Sequence, residues 1–205
     1  MSPRISATGL ALVVLVVSSA RAQAPVPRLG DDERSRLSAG ELLLSTEPVA
    51  GSDTPAYVVR GVLEAPVERV WALVSDCARY RDTMVRVAAS EALPPRGELQ
   101  VCRLVMAMPF PLPDLTVITG ATHKRDGGSA SRQWRLLEGD FAIHEGAWLL
   151  EPFEGSATRT LVTHRARVRP KLPVPEGLLA ASKKETLAET LRKLRRQLQS
   201  APGAP

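Results

Sequence analysis

Residues 60–79, which read RGVLEAPVERVWALVSDCAR, decide the fold. The apolar, β-branched residues before Ala65 predict a strand, and Pro66 suits the first position of a helix, where a missing N–H costs nothing. Apolar side chains then recur at helical spacing and predict one buried stripe, formed by Val67, Val70, Trp71 and Val74. The stretch therefore predicts a strand that passes directly into an amphipathic helix.

The chain on either side of this stretch predicts an antiparallel meander. Turn residues such as Asp126-Gly127-Gly128 and Glu154-Gly155-Ser156 separate short apolar runs, which is typical of strands joined by hairpins. A loop is predicted over 51–55, and short helices over 31–39 and 78–84. Strands are predicted over 41–45, 57–63, 85–93, 98–106, 115–123, 131–137, 141–150 and 160–169.

The last predicted element is a helix over 176–199. Its apolar stripe is Leu187, Leu191, Leu194 and Leu198. Its other faces are cationic and carry Lys183, Lys184, Arg192, Lys193, Arg195 and Arg196. We interpret it as a helix that covers the core and exposes a solvated basic face; the alternative is transient contact of that face with an anionic membrane surface.

The order of strand, Ala-Pro and Trp-containing helix, followed by an Asp and a Tyr, resembles the opening of the START-like (SRPBCC or helix-grip) superfamily, which includes polyketide cyclase/dehydrase and coenzyme Q-binding proteins. The Pro-rich segment 106–114, the segment 146–152 and the lead into the last helix over 168–173 add to the resemblance, which spans roughly residues 55–198. It implies an α+β, START/Bet v-like fold. A curved antiparallel sheet of about six or seven strands would wrap on the long C-terminal helix, with two short helices after the first strand.

The first 22 residues have the pattern of a cleavable signal peptide. Arg4 precedes an apolar run over 10–17, and Ala20-Arg21-Ala22 supplies a small-x-small cleavage site. The run is shorter than the roughly 20 residues that span a bilayer, although an uncleaved anchor remains the alternative. We expect cleavage after Ala22, with Ala24 as a second option, and a periplasmic or secreted protein.

The charge and length of the chain limit the classes of protein to which it can belong. The formal net charge is +5, from 27 basic and 22 acidic residues, and loss of Arg4 and Arg21 leaves 25 − 22 = +3, which does not require a nucleic-acid partner. We divide the chain into a signal peptide (1–22), a lead-in with one short helix (23–54), a START-like domain (55–199) and a disordered tail (200–205).

Strand alternation predicts the residues of an internal cavity. Alternation places His144 and Trp148 on the inner face of one strand and His164 on the next, with His164 opposite Trp148 and His144 near Val168. Met and aromatic side chains suit flexible apolar ligands, although the same side chains could simply fill a core. The candidates are Met106, Met108, Phe110, Trp134, Leu136, His144, Trp148, Leu150, Val162, His164, Leu187, Leu191 and Leu194.

Signals of catalysis or metal binding are weak. A zinc site needs about three or four converging ligands, and no acid or cysteine is placed to complete one beside His144 and His164. Nucleophile-elbow, zinc-protease and nucleotide-loop motifs are absent from the sequence. We predict no cofactor, no metal and no catalytic residue, and we expect Arg60 and Arg103 to be outward and solvated.

Cys77 and Cys102 are the two cysteines of the chain. An exported protein permits a disulfide between them, but sequence cannot show that their Cα atoms come within about 7 Å. Two buried thiols are the alternative.

Three functions fit these patterns. The leading one is non-catalytic binding or transport of a lipid or other hydrophobic small molecule in the cavity. The second, implied by the same resemblance, is a polyketide cyclase or aromatase that uses the cavity for chemistry. The third is an interaction module whose interior is fully packed.

Overall fold

The computed structural model describes residues 29–173 and 176–200, with the backbone alone for residues 176–183. The helices are α1 (Asp31–Ser38), α2 (Val67–Ser75), α3 (Tyr80–Thr83) and α4 (Glu176–Ser200). The strands are β1 (Leu43–Val49), β2 (Ser52–Leu63), β3 (Val87–Arg96), β4 (Leu99–Met106), β5 (Leu115–Asp126), β6 (Ser129–Gly139), β7 (Phe141–Pro152) and β8 (Thr160–Pro170). The predicted signal peptide with its cleavage site, and the predicted tail beyond Ser200, lie outside the described residues.

The strands form one open antiparallel sheet in the order β1-β2-β8-β7-β6-β5-β4-β3. Consecutive strands from β3 to β8 are neighbours, as the turn chemistry between them predicts. The predicted α+β helix-grip architecture is confirmed, with eight strands instead of six or seven. The sheet also contradicts the predicted loop over 51–55, because a tight turn pairs Val49 with Ser52 and β2 begins there.

Helix α2 begins directly after Pro66, and it buries Val67, Val70 and Val74 as predicted. Trp71 lies at the edge of this stripe and is only partly buried, with its ring 4.9 Å from that of His123. The helix packs on β6, β7 and α4 and so covers one end of the concave face.

Helix α4 lies along the concave face, close to β2. Gly61 makes this approach possible, because a Cβ there would lie 2.9 Å from Leu191 Cδ2 and 2.6 Å from Leu42 Cδ2. All four leucines of the predicted stripe are buried (Leu187, Leu191, Leu194 and Leu198).

Part of the basic face of α4 anchors the helix to the domain. Lys193 Nζ donates to the carbonyl oxygen of Met84 at 2.7 Å, and Arg195 donates to that of Val62 at 3.1 Å. Arg192 and Arg196 remain exposed, so the basic face is only partly solvated.

The convex face of the sheet is covered in part by α1. Leu37 of this helix is fully buried against Val62 and Phe153. Arg60 points outward as predicted but is only 9% exposed, because α1 lies over it, and its guanidinium is 3.5 Å from Glu33. The expectation of a solvated Arg60 was therefore wrong, whereas Arg103 is exposed.

Cys77 and Cys102 form a disulfide, with Cα atoms 6.1 Å apart. It joins the turn after α2 to β4 and closes a segment of 25 residues. No helix within residues 29–173 and 176–200 has the length and apolar character needed to cross a bilayer.

We predict that Leu37→Ala lowers the free energy of unfolding by about 2–4 kcal/mol, because it leaves a cavity beneath α1. The matched control is Leu44→Ala on β1, whose side chain is 41% exposed; it should cost less than about 1 kcal/mol. Urea unfolding followed by circular dichroism measures both variants. Equal losses would contradict the structural role given to α1.

Candidate functional site

A cavity of about 220 Å³ lies between the concave face of the sheet and α4. Its walls come from α3, α4 and seven strands, β2 to β8, and are mostly apolar. At one end of the cavity lie the segment after α3, the segment after β4 and the end of β8, represented by Val85, Met108 and Pro170. We call this the outer end. At the other end, the inner end, lie Trp148 and His164.

The structure brings seven of the predicted cavity residues to this wall: Met106, Met108, Trp134, His144, Trp148, His164 and Leu187. Four others, Leu150, Val162, Leu191 and Leu194, are fully buried in the surrounding core and do not line the cavity. Leu136 is partly buried against that core.

The prediction that Phe110 lines the cavity was wrong, because this residue is 97% exposed. The period-2 alternation that placed it inside holds only within a strand. Because β4 ends at Met106, the Pro-rich segment that follows leads Phe110 into solvent.

Aromatic side chains form a stacked wall at the inner end. Trp148 and His164 are cross-strand partners, as predicted, and their rings stack with centroids 3.6 Å apart and planes 8° apart. His144 faces Val168 across the same pair of strands, also as predicted. Gly146 makes room for Trp134, because a Cβ at that position would overlap the indole ring and the Arg165 carbonyl oxygen.

Among the cavity residues that sequence reasoning missed, Arg132 is the buried charged one. It lies on β6 between its cross-strand partners His123 and Trp148, and it is only 3% exposed. Its guanidinium carbon is 5.3 Å from the Tyr80 ring centroid and 5.8 Å from that of Trp134. Strand alternation predicts that Arg132 points inward, because it lies two residues before the inward Trp134 on the same strand.

The guanidinium of Arg132 has no polar partner in the described part of the chain. Its Nε is buried without a hydrogen bond, and no ion pair of the described residues includes Arg132. The described residues that line the cavity include no carboxylate. The cavity therefore combines apolar walls with one buried positive charge, that of Arg132, whereas its other lining arginine, Arg86, is exposed.

Burial keeps both cavity histidines neutral. Burial is the main cause, and the positive charge of Arg132 contributes; together they lower the pKa of His144 to about 4 and that of His164 to about 3. Burial also raises the pKa of Tyr80, whose hydroxyl donates to the carbonyl oxygen of Val74. At neutral pH, none of these three side chains carries charge.

We predict that the protein loses stability as pH falls from 7 to 5. The unfolded chain binds protons near the ordinary histidine pKa of 6.5, whereas folded His144 and His164 stay neutral until pH about 4 and 3, so protons favour the unfolded state. Each histidine should contribute a loss of about 2 kcal/mol over this window.

Urea unfolding at several pH values measures this slope, which should flatten in His164→Gln. The control Arg135→Gln, at an exposed position on β6, should keep the wild-type slope. A slope unchanged by His164→Gln would contradict the assignment of a neutral buried imidazole.

A match to a known protein family covers most of this domain. A family model described as polyketide cyclase / dehydrase and lipid transport matches residues 63–195. The search of curated proteins found no match to this chain.

Solved structures share the fold at low sequence identity. A STAR-related lipid transfer protein from Xanthomonas axonopodis is 23% identical, with 77% of this chain and 93% of that chain covered and a TM-score of 0.66. Human STARD10 is 16% identical, with 86% and 81% covered and a TM-score of 0.63. The Zhui aromatase/cyclase from Streptomyces sp. R1128 is 18% identical, with 73% and 98% covered and a TM-score of 0.55. Because the family model spans more than half of the 205 residues, and the helix-grip sheet closed by α4 agrees with it, the chain belongs to the polyketide cyclase/dehydrase and lipid transport family.

Proposed function

We propose that the protein binds a hydrophobic small molecule of the lipid class in its internal cavity and carries out no chemistry on it. The observation that carries this proposal is the mostly apolar hollow of about 220 Å³ under α4. Small-molecule sites are typically about 300–1,000 Å³, so this hollow suits a small ligand or one chain of a larger one. Burial of apolar ligand surface, about 25 cal/mol per Å², drives the binding.

The methionines support an adaptable site. The chain has four methionines, and the three within the described residues, Met84, Met106 and Met108, all line the cavity. Their flexible thioether side chains adjust to ligands of different shape. Two of them, Met106 and Met108, lie at the end formed by the segment after β4, where ligand can enter.

The STAR-related lipid transfer protein of similar fold supports this proposal, and the export pattern of residues 1–22 supports an exported protein. We infer that the mature protein is periplasmic or secreted and shelters its ligand there from water. Transient contact with an anionic membrane surface, through the exposed Arg192 and Arg196 of α4, would allow exchange of the ligand.

The alternative is an enzyme of the polyketide cyclase or aromatase type, favoured by the two imidazoles in the cavity and by the similar fold of an aromatase/cyclase. A general base is most effective when its pKa lies near the working pH. Since the pKa values of His144 and His164 are about 4 and 3, both are weak bases at neutral pH. We therefore rank binding above catalysis.

We predict that Ala166→Phe weakens binding of the neutral apolar dye Nile red at least tenfold. Ala166 lines the cavity on β8 beside His164, so a ring there would occupy the ligand space. The control is Ala89→Phe on β3, at an exposed position, which should bind like the wild type. Fluorescence titration measures affinity, and circular dichroism confirms folding. A folded Ala166→Phe protein with wild-type affinity would refute binding in this cavity.

A second prediction separates binding from catalysis. The wild-type protein should give no turnover of poly-β-ketone mimics of aromatase substrates, and His144→Ala and His164→Ala should change nothing. Product analysis by liquid chromatography and mass spectrometry provides the test. Wild-type turnover that is lost in His164→Ala would replace the binding proposal with the enzymatic one.

A further inference from the structure

Arg132 is a buried cation without a counterion in the described chain. Two arginines on the opposite face of the sheet are paired with acids: Arg165 lies 2.9 Å from Glu47, and Arg167 lies 2.8 Å from Glu145. Arg132 is more deeply buried than either, yet its guanidinium lies over the rings of Tyr80 and Trp134 and forms no ion pair within the described chain. Arg132 therefore differs from these two arginines, because the described part of the folded chain supplies no carboxylate to pair with its charge.

An arginine side chain does not lose its proton to relieve this cost, because a guanidinium stays protonated in proteins. A buried charge is strongly unfavourable unless it is paired and hydrogen-bonded. The two aromatic faces offset part of the cost through cation–π attraction, but they accept no hydrogen bond in the guanidinium plane. The planar fork of donors therefore remains available to an anion from outside the chain.

The surroundings of Arg132 leave its charge unopposed. The groups that face it from neighbouring elements are His123 on β5, Tyr80 on α3, His144 on β7 and His164 on β8. Burial holds the pKa of each of the three imidazoles below its usual value, so at neutral pH they are uncharged, and burial raises the pKa of the Tyr80 hydroxyl. The inner end of the cavity is consequently a site of positive potential inside apolar walls.

The position of Arg132 along the strands gives the ligand a direction. Arg132 faces Trp148 across β6 and β7, whereas Phe141, at the other end of β7, faces Pro170 near the segment after β4. The cation therefore lies at the inner end, and the methionines Met106 and Met108 lie towards the outer end. A ligand held by both has its polar group inside and its apolar body pointing outward.

We infer that the ligand is an anionic amphiphile whose head group, a carboxylate or a phosphate monoester, binds Arg132, while its single chain or ring system lies against Trp134 and the methionines. This inference rests on the proposed function and narrows its ligand class. The volume of about 220 Å³ fits one chain or one ring system better than a lipid with two full acyl chains.

Isothermal titration calorimetry with three probes of equal chain length tests the inference: decanoate, decyl phosphate and 1-decanol. The wild type should bind at least one of the anions at least tenfold more tightly than the alcohol, and the stronger anion identifies the head group. Arg132→Met, which removes the charge and keeps an unbranched side chain, should lose at least tenfold in anion affinity and bind 1-decanol as well as the wild type.

Two further proteins complete the design. Arg135→Met removes a charge from the exposed face of the same strand and should retain the preference for anions. If Arg132→Met does not fold, the same titrations are made with Arg132→Gln, which removes the charge but keeps a polar side chain. Without ligand, both Arg132 variants should melt at or above the wild-type temperature, because they remove an unpaired buried charge.

The outcomes separate the two proposals. If 1-decanol binds as tightly as the anions, or if the Arg132 variants retain full anion affinity, the inference fails and apolar binding stands. If no probe binds and Nile red does not bind either, both proposals fail. A ligand-free Arg132→Gln protein that melts well below the wild type would show that the chain itself compensates Arg132, and it would overturn the inference.

Discussion

The packing of α4 against β2 is the constraint on which the cavity depends. Gly61 lets the helix approach this strand closely, and Leu191 fills the contact. A straight helix cannot follow a twisted sheet over its whole width. Where α4 is held against β2, the space towards β4 and β6 is left to side chains alone, and these side chains do not fill it.

The side chains of the inner wall are held in place by backbone geometry rather than by polar contacts. Cross-strand pairing stacks His164 on Trp148, and the missing side chain of Gly146 lets the Trp134 ring lie flat against the sheet. Such a wall keeps its shape without ligand, which lowers the ordering cost of binding. The methionines at the outer end supply the adaptable part of the same surface.

Sequence patterns predicted most of the fold because they depend on local chemistry. Turn residues and period-2 alternation gave all eight strands to within a few residues, except where the turn at Gly51 extends β2 back to Ser52. The same alternation placed His164 opposite Trp148. It also implied an inward Arg132, but the usual expectation that arginines are solvated obscured it.

The remaining features depend on contacts between distant parts of the chain. Arg60 is buried because α1 folds over it, and Phe110 is exposed because β4 ends four residues earlier. The volume of the cavity is the space that the backbone encloses minus the space that side chains occupy. A local sequence pattern therefore cannot predict it. Site prediction from sequence therefore found part of the cavity wall, but it found neither the volume of the cavity nor its buried charge.

The most direct test of the account is native mass spectrometry of the purified protein after incubation with a total lipid extract of its source organism. The account predicts a complex of one protein with one small molecule of the lipid class, which dissociates on unfolding. A protein that stays at its bare mass throughout, although folded, would contradict the claim that the space under α4 is a binding site.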